Sequence, residues 1–254
     1  RLLTMMPGEA LSLPDASVFR RIDQSIGYVY YLLGDLLDAF PVLAEWLTEY
    51  NTAWGEFLSS EDSWTDEYYR LLKSDSRFGL DTDRYENPDN WHSFNDFFAR
   101  RLNQKSKNTN YKSTFVSDGE QMDFPVKTMS VEQLSELLDG SPYAERFVGA
   151  KAEHYVLDVY HYHHYHAPVS GRVLECRIVP GVHTAGGKVI WDKAQKRYRY
   201  EQSNNTDFQA LETRGILIIE TYQQSPLVAL IPVGVMQVGS VSWNPEVQVG
   251  AMLE

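Results

Sequence analysis

The chain has 254 residues, 43% of them apolar, enough to bury the core of one large domain or two small ones and too apolar for a disordered segment. Asp and Glu number 35 against 23 Lys and Arg, and the resulting net charge of −12 opposes a nucleic-acid backbone and argues against a nucleic-acid partner. The richest apolar windows, RGILIIETY and PLVALIPVGV, are too short and too broken to cross a bilayer as a helix. The single cysteine, Cys176, excludes an internal disulfide and fits a reducing cytosol.

The opening RLLTMM lacks the organisation of a secretory signal. From Ala16 to about Leu72 the apolar residues recur at helical spacing (Phe19, Ile22, Ile26, Val29, then Leu43, Leu47, Trp54, Phe57), which predicts two or three amphipathic helices. Pro41 separates the first two, and Ser63 is placed to cap a third that carries Trp64, Tyr68 and Leu71. Acidic residues interleave these helices (Asp35, Asp38, Glu45, Glu49), whereas a helix lying on a membrane carries Lys and Arg on its polar face. After a polar loop from Ser76 to Asn90, HSFNDFFARRLNQ predicts a short helix with Ser93 and Asp96 as a capping pair and Phe94, Phe97, Phe98 and Leu102 as its apolar side. KSKNTNYKST reads as a loop, and Ser130 to Asp139 as another helix burying Leu134, Leu137 and Leu138.

Beyond Ala150 the period changes to two. HYVLDVYHY, GRVLECRIV, RGILIIETY, PLVALIPVGV and MQVGSVSW are strand-type runs bounded by glycine, proline or polar stretches, and QKRYRYEQSNNTD intervenes between them. The expected fold class is α+β: a helical region over residues 1–90 and a mainly antiparallel sandwich or barrel-like core over 91–254.

HYHHYHAPVSG, residues 161–171, holds four of the seven histidines. Imidazoles in such a cluster can hold a metal, move protons or line a solvated strand. In an extended strand His161 and His163 face one way and His164 and His166 the other, so the four do not converge on one ion, and no glutamate follows as in metal-binding cupin barrels; no metal ligands are assigned. A hydrolase triad lacks its G-x-S-x-G elbow. A third reading starts from APVSGRV and NPEVQVGAMLE, whose glycine-punctuated pattern resembles biotinyl and lipoyl carrier domains, with Asp192-Lys193-Ala194 as a modifiable-lysine motif; there, basic residues crowd the would-be hairpin tip and the helical half goes unexplained.

Taken together, several motifs resemble the phosphatidylserine decarboxylase family. SFNDFFARRL (93–102) is similar to its FxDFFxRxL segment and YHHYHAP (162–168) to its YHRxHxP, followed in order by Pro168–Gly171, Val179-Pro180-Gly181, ETRGILIIET and VALIPVGVMQVGSV. The chain departs from the pattern in having His164 where the family usually has arginine, and only Val116-Ser117-Asp118-Gly119 where the family has a Ser-Pro-Ala-Asp-Gly type stretch. The resemblance implies a precursor that cuts itself before a serine, which becomes a covalent pyruvoyl group on a short C-terminal chain. The sequence reaches Met252-Leu253-Glu254 without such a site, so it is expected to be the large, non-pyruvoyl chain, with that short chain from the same precursor as its partner and an oligomer of such processed heterodimers as the assembly. Gly140-Ser141 and Gly239-Ser240 stand away from the cleavage position.

The implied cofactor is the pyruvoyl carbonyl, an electron sink that forms a Schiff base with the substrate amine. The family pattern assigns His166 as the base for self-cleavage, Asp118 as its orienting carboxylate, and His163 to the substrate carboxylate or to returning a proton. Phosphatidylserine is the family's usual substrate. The acidic balance and the helical stretch ending in WGEFLSSEDS are similar to soluble members, among them fungal tryptophan decarboxylases, so a free L-amino acid, with an aromatic one the first to try, is the expected substrate, and a cytoplasmic location, with peripheral membrane contact as the alternative, is the expected setting. A scaffold without its pyruvoyl group would be a non-catalytic binding protein.

Overall fold

The computed structural model describes residues 41–74, 80–108, 120–121, 131–153, 155–157, 161–181, 187–194, 197–202, 210, 212–222, 226–234 and 238–254. The helix expected before Pro41, the Ser130 cap and Asp118 lie outside the described residues. The chain forms two compact units, one taking in Thr52–Met122 and Tyr155–His166, the other Gln24–Asn51, Asp123–His154 and Ala167–Glu254. The class is α+β, with helices ahead of a curled antiparallel sheet.

Helix α1 spans Pro41–Leu58. Leu47, Trp54 and Leu58 are buried, whereas Trp46 is 47% exposed and stacks on Tyr50 at 5.7 Å. Helix α2 (Asp66–Ser74) is capped by Thr65, not by Ser63: the Tyr68 amide donates to Thr65 Oγ1 at 3.1 Å. Ser63 is buried instead. Its hydroxyl donates to the Ser60 and Leu58 carbonyls and accepts the Phe94 amide at 2.9 Å, a tether across 31 residues that no local pattern could reveal.

Helix α3 (Phe94–Phe98) carries the expected capping box, Ser93 Oγ accepting from the Asp96 amide and Asp96 Oδ2 from the Ser93 amide, both at 3.1 Å. Helix α4 (Gln104–Asn108) replaces the start of a predicted loop; Asn103 Oδ1 accepts the Ser106 amide at 2.9 Å and so supplies the cap that the polar composition concealed. Strand β1 (Glu120–Gln121) pairs antiparallel with β2 (Tyr155–Val156), the only part of HYVLDVYHY that is a strand among the described residues. Between them, α5 (Val131–Leu137) buries Leu134, Leu137 and the following Leu138, as expected.

The remaining strands are β3 (Gly171–Val179), β4 (Gly187–Asp192), β5 (Arg197–Gln202), β6 (Arg214–Thr221), β7 (Leu227–Leu230) and β8 (Met252–Leu253). The main sheet runs β7-β6-β3-β8, antiparallel throughout, with a bulge between Val173 and Glu175; β4 and β5 form a two-stranded sheet of their own. Strand β5 lies in QKRYRYEQSNNTD, the segment expected to intervene between the strand-type runs. Residues 238–243, by contrast, are not a strand: Val241 and Trp243 lie over Gly215, and Trp243 Nε1 donates to the Arg177 carbonyl at 3.1 Å, so this alternating run covers the sheet without joining its ladder.

Strand β6 is buried on both faces, which explains its unbroken apolar run. Ile216 and Ile218 pack with Leu138, Ala144 and Val179; Leu217 and Ile219 pack with Val173 on the other side. Two sheet arginines hold the end of α5: Arg214 donates to the Leu137 and Glu136 carbonyls at 2.7 and 2.9 Å, and Arg177 to the Leu138 carbonyl at 2.7 Å and the Asp139 carboxylate at 2.6 Å. They satisfy carbonyls that a helix C-terminus leaves without partners. Burial lowers the Arg214 pKa from its usual value.

Gly171 opens β3 where a Cβ would overlap the Glu220 backbone carbonyl of β6 and come within 2.8 Å of Ile219 Cγ2. Since a paired backbone cannot give way as a side-chain tip can, Gly171→Ala is expected to cost about 1–3 kcal/mol, read as a lowered urea midpoint. An unchanged midpoint would mean that the β3–β6 spacing is not tight there.

Candidate functional site

The site is built on an aromatic cluster. Trp54, Tyr68, Tyr85, Trp91, Phe94, Phe97 and Tyr162 pack together with Leu58, Leu72 and Leu102, and burial raises the Tyr68 hydroxyl pKa from its ordinary value, against the opposing charge of Arg100. Helix α3 presents Phe94 and Phe97 to this cluster because they are three apart on one face. The helix closes with the Ala99 amide on the Asn95 carbonyl, and Arg100 then turns inward. At 2% exposure, its guanidinium lies 4.4 Å from the Phe97 ring centroid and 4.6 Å from that of Tyr85, and donates to the Phe97 carbonyl at 3.1 Å. Tyr85, held at its backbone by a bridge to Leu102, lies with its ring 6.3 Å from Tyr162.

Tyr162, 5% exposed, anchors the histidine segment. Residues 162–167 form no strand, and alternation still sorts the side chains: the Tyr162 ring stacks with His164 (5.2 Å, 23°) and with His166 (5.7 Å, 22°), whereas His163 stacks on Phe98 (3.7 Å, 24°). His164 Nε2 lies 3.0 Å from the Ala99 carbonyl oxygen. A carbonyl only accepts, so Nε2 carries the proton in this contact. His161 is half-buried. Tyr162 is a packing residue, whereas Tyr165 is 39% exposed. His163 and His166 lie on opposite sides of this short segment, His163 against Phe98 and His166 against Tyr162; their expected partner Asp118 lies outside the described residues.

Tyr85, Phe98, the Ala99 carbonyl and Arg100 were not predicted as site residues. Phe98 was legible only as part of an apolar helix face, and nothing local marks a backbone carbonyl as a histidine's acceptor. Among the described residues, no three His, Cys, Asp or Glu side chains come together to hold a metal ion. Lys193 does lie in the turn between β4 and β5, where a carrier-domain lysine would. Ser141 Oγ donates to Glu175 Oε2 at 2.5 Å and accepts the Tyr143 amide at 3.2 Å, and both bonds account for that serine structurally. Burial raises the Cys176 thiol pKa, and its Sγ lies 3.2 Å from the Val247 carbonyl, an environment unsuited to a nucleophile.

The family model described as phosphatidylserine decarboxylase matches residues 94–253. The chain belongs to the phosphatidylserine decarboxylase family. Membership implies a decarboxylase, and the match embraces helix α3, the histidine segment and the whole main sheet of this decarboxylase. It also weighs against the carrier-domain reading, since it runs through Lys193 and accounts for the sequence on both sides of it. None of the curated proteins searched matches the chain.

Proposed function

We propose that this chain is the large part of a pyruvoyl-dependent decarboxylase that removes the α-carboxylate of a free L-amino acid. One observation carries the reading: the family match begins in α3 and continues through the histidine segment, two stretches some 60 residues apart that pack on each other. A pyruvoyl carbonyl, formed from a serine outside these residues, supplies the electron sink that loss of carbon dioxide requires. The chain's own contribution beside such a group is imidazole side chains that can hold and move protons. His166 acts as the base for self-cleavage, with Asp118 orienting it, and His163 contacts the substrate carboxylate or returns a proton to the α-carbon.

For the substrate, the net charge of −12 and the acidic Glu45, Glu49 and Glu56 of α1 favour a free amino acid over a molecule drawn from an anionic bilayer. Among the described residues no helix is long and apolar enough to cross a membrane. The family's own description favours a second reading, phosphatidylserine. The partner in either case is the short pyruvoyl chain of the same precursor, in an oligomer of processed heterodimers, and the setting is cytoplasmic with peripheral membrane contact as the alternative.

Carbon dioxide release from free L-amino acids, aromatic ones first, and from phosphatidylserine vesicles separates the two substrates; turnover of the lipid alone selects the second reading. Hydroxylamine, or borohydride added with substrate, is expected to abolish turnover, and chelators to leave it intact. Loss on chelation that zinc restores would overturn the pyruvoyl reading in favour of a metal held by the histidines.

A further inference from the structure

Two features of the histidine segment go beyond its aromatic anchor, and both lie at one helix end. The His163–Phe98 centroid separation of 3.7 Å is a face contact, much closer than the 5.2 Å between Tyr162 and His164. Phe98 is the last residue of α3 and only partly buried, so core packing does not account for its whole surface. A face contact restricts the plane of an imidazole but uses neither ring nitrogen, which suits a group that must exchange protons at its edge. One residue on, His164 Nε2–H donates to the Ala99 carbonyl at 3.0 Å. That carbonyl belongs to the helix end, where acceptors lack intrahelical donors, so the bond satisfies both sides.

The helix end is itself rigid. The Ala99 amide is bound to Asn95, and the buried Arg100 is packed over Phe97 and Tyr85. Tyr85 in turn packs on Tyr162, which lies on the same chain face as His164 and His166. Three successive residues are thus each held by a different contact: Tyr162 by ring packing on Tyr85, His163 by a face stack on Phe98 and His164 by a hydrogen bond to the Ala99 carbonyl.

We propose that Phe98 and His164 are positioning residues of the site, the Phe98 ring setting the plane of His163 and the His164–Ala99 hydrogen bond setting the path of the chain that carries His163 and His166. The Nε2 proton of His164 is committed to a backbone acceptor, so that nitrogen holds the segment in place. The catalytic meaning of the clamp rests on the decarboxylase reading; the clamp itself does not.

The test uses the mature processed enzyme and has a readout that does not need activity. In nitrogen-15 spectra of the imidazoles, His164 should be a single Nε2–H tautomer with a slowly exchanging proton, and the His163 ring protons should carry an upfield ring-current shift that Phe98→Tyr keeps and Phe98→Leu removes. In kinetics, His164→Ala and Phe98→Leu should each lower kcat roughly 10- to 100-fold with KM changed less than about three-fold, the signature of misplaced rather than missing groups. His164→Gln, whose amide can donate to the same carbonyl, should recover to within about three-fold of the parent, whereas His164→Met should not. A His164 ring exchanging between tautomers, or His163 shifts unmoved in Phe98→Leu, would overturn the clamp even in a fully active enzyme. Intact signatures in a protein inactive on every substrate would instead leave the clamp standing and overturn the decarboxylase reading. Should Phe98→Leu fail to fold, the His164 series decides on its own.

Discussion

His166→Ala, made in the full-length precursor, is expected to leave one uncut chain. Cleavage requires a serine hydroxyl to attack the peptide carbonyl before it, and at neutral pH that hydroxyl is a poor nucleophile until a base takes its proton. The family pattern gives that role to His166, whose ring stacks at 5.7 Å on the anchored Tyr162. Electrophoresis should show a single band, mass spectrometry should find no small chain blocked at its amino end by pyruvate, and decarboxylation should fall by about 10²–10⁴-fold or more, since on the proposed reading the base is needed before the pyruvoyl group can form. Misfolding is a poor explanation in advance, because His166 is exposed and its replacement should cost no more than about 1 kcal/mol. His163→Ala should still be cut at least in part yet decarboxylate poorly, and Asp118→Asn should slow cutting less completely, because an orienting carboxylate improves a base that works without it. Normal cleavage of the His166 variant would sink the assignment.

Phe97→Ala should be the most destabilising single substitution proposed here, at about 3–5 kcal/mol. The ring is 0% exposed, with ring centroids at 5.3 Å from Trp64, 5.6 Å from Trp91 and 5.9 Å from Phe94. Its removal leaves a cavity among rigid rings that collapse poorly, and it strips one of the two aromatic faces from the buried Arg100. Against a typical domain stability of about 5–15 kcal/mol, that loss takes a large share of the folded margin. Urea unfolding followed by tryptophan emission reads it directly, since Trp64 and Trp91 line the site of damage. Phe97→Leu, which keeps much of the volume, should lose clearly less. A cost below about 1 kcal/mol for the alanine would show that the cluster relaxes around the gap and is not the rigid base of the histidine segment.

The local rules were sufficient where the partners of a residue are its sequence neighbours. The capping box of α3 uses Ser93 and Asp96, three residues apart, and the leucines of α5 share one face of a single helix, so periodicity and capping chemistry located both. The central strand β6 was legible for a related reason: burial on both faces demands an unbroken apolar run, and RGILII supplies it. The change from helical spacing to a period of two after Ala150 likewise determined the α+β class, and the ordered motifs determined the family.

Elsewhere one side chain has several feasible partners, and the fold chooses among them. Ser63 could have capped α2, but the approach of Phe94 turned its hydroxyl into a tether and left the cap to Thr65. MQVGSVSW alternates like a strand, yet Trp243 finds its acceptor on Arg177, and residues 238–243 cover a sheet they do not join. RYRYEQ, part of the stretch that intervenes between the strand-type runs, becomes a strand by pairing with Gly187–Asp192. For the site, the spelling HYHHYH separates the histidines into two faces by strand geometry alone. That His163 rests on Phe98 and His164 on the Ala99 carbonyl is decided by residues some 65 positions away, because a stack and a backbone acceptor are properties of a packed arrangement that sequence spacing does not encode.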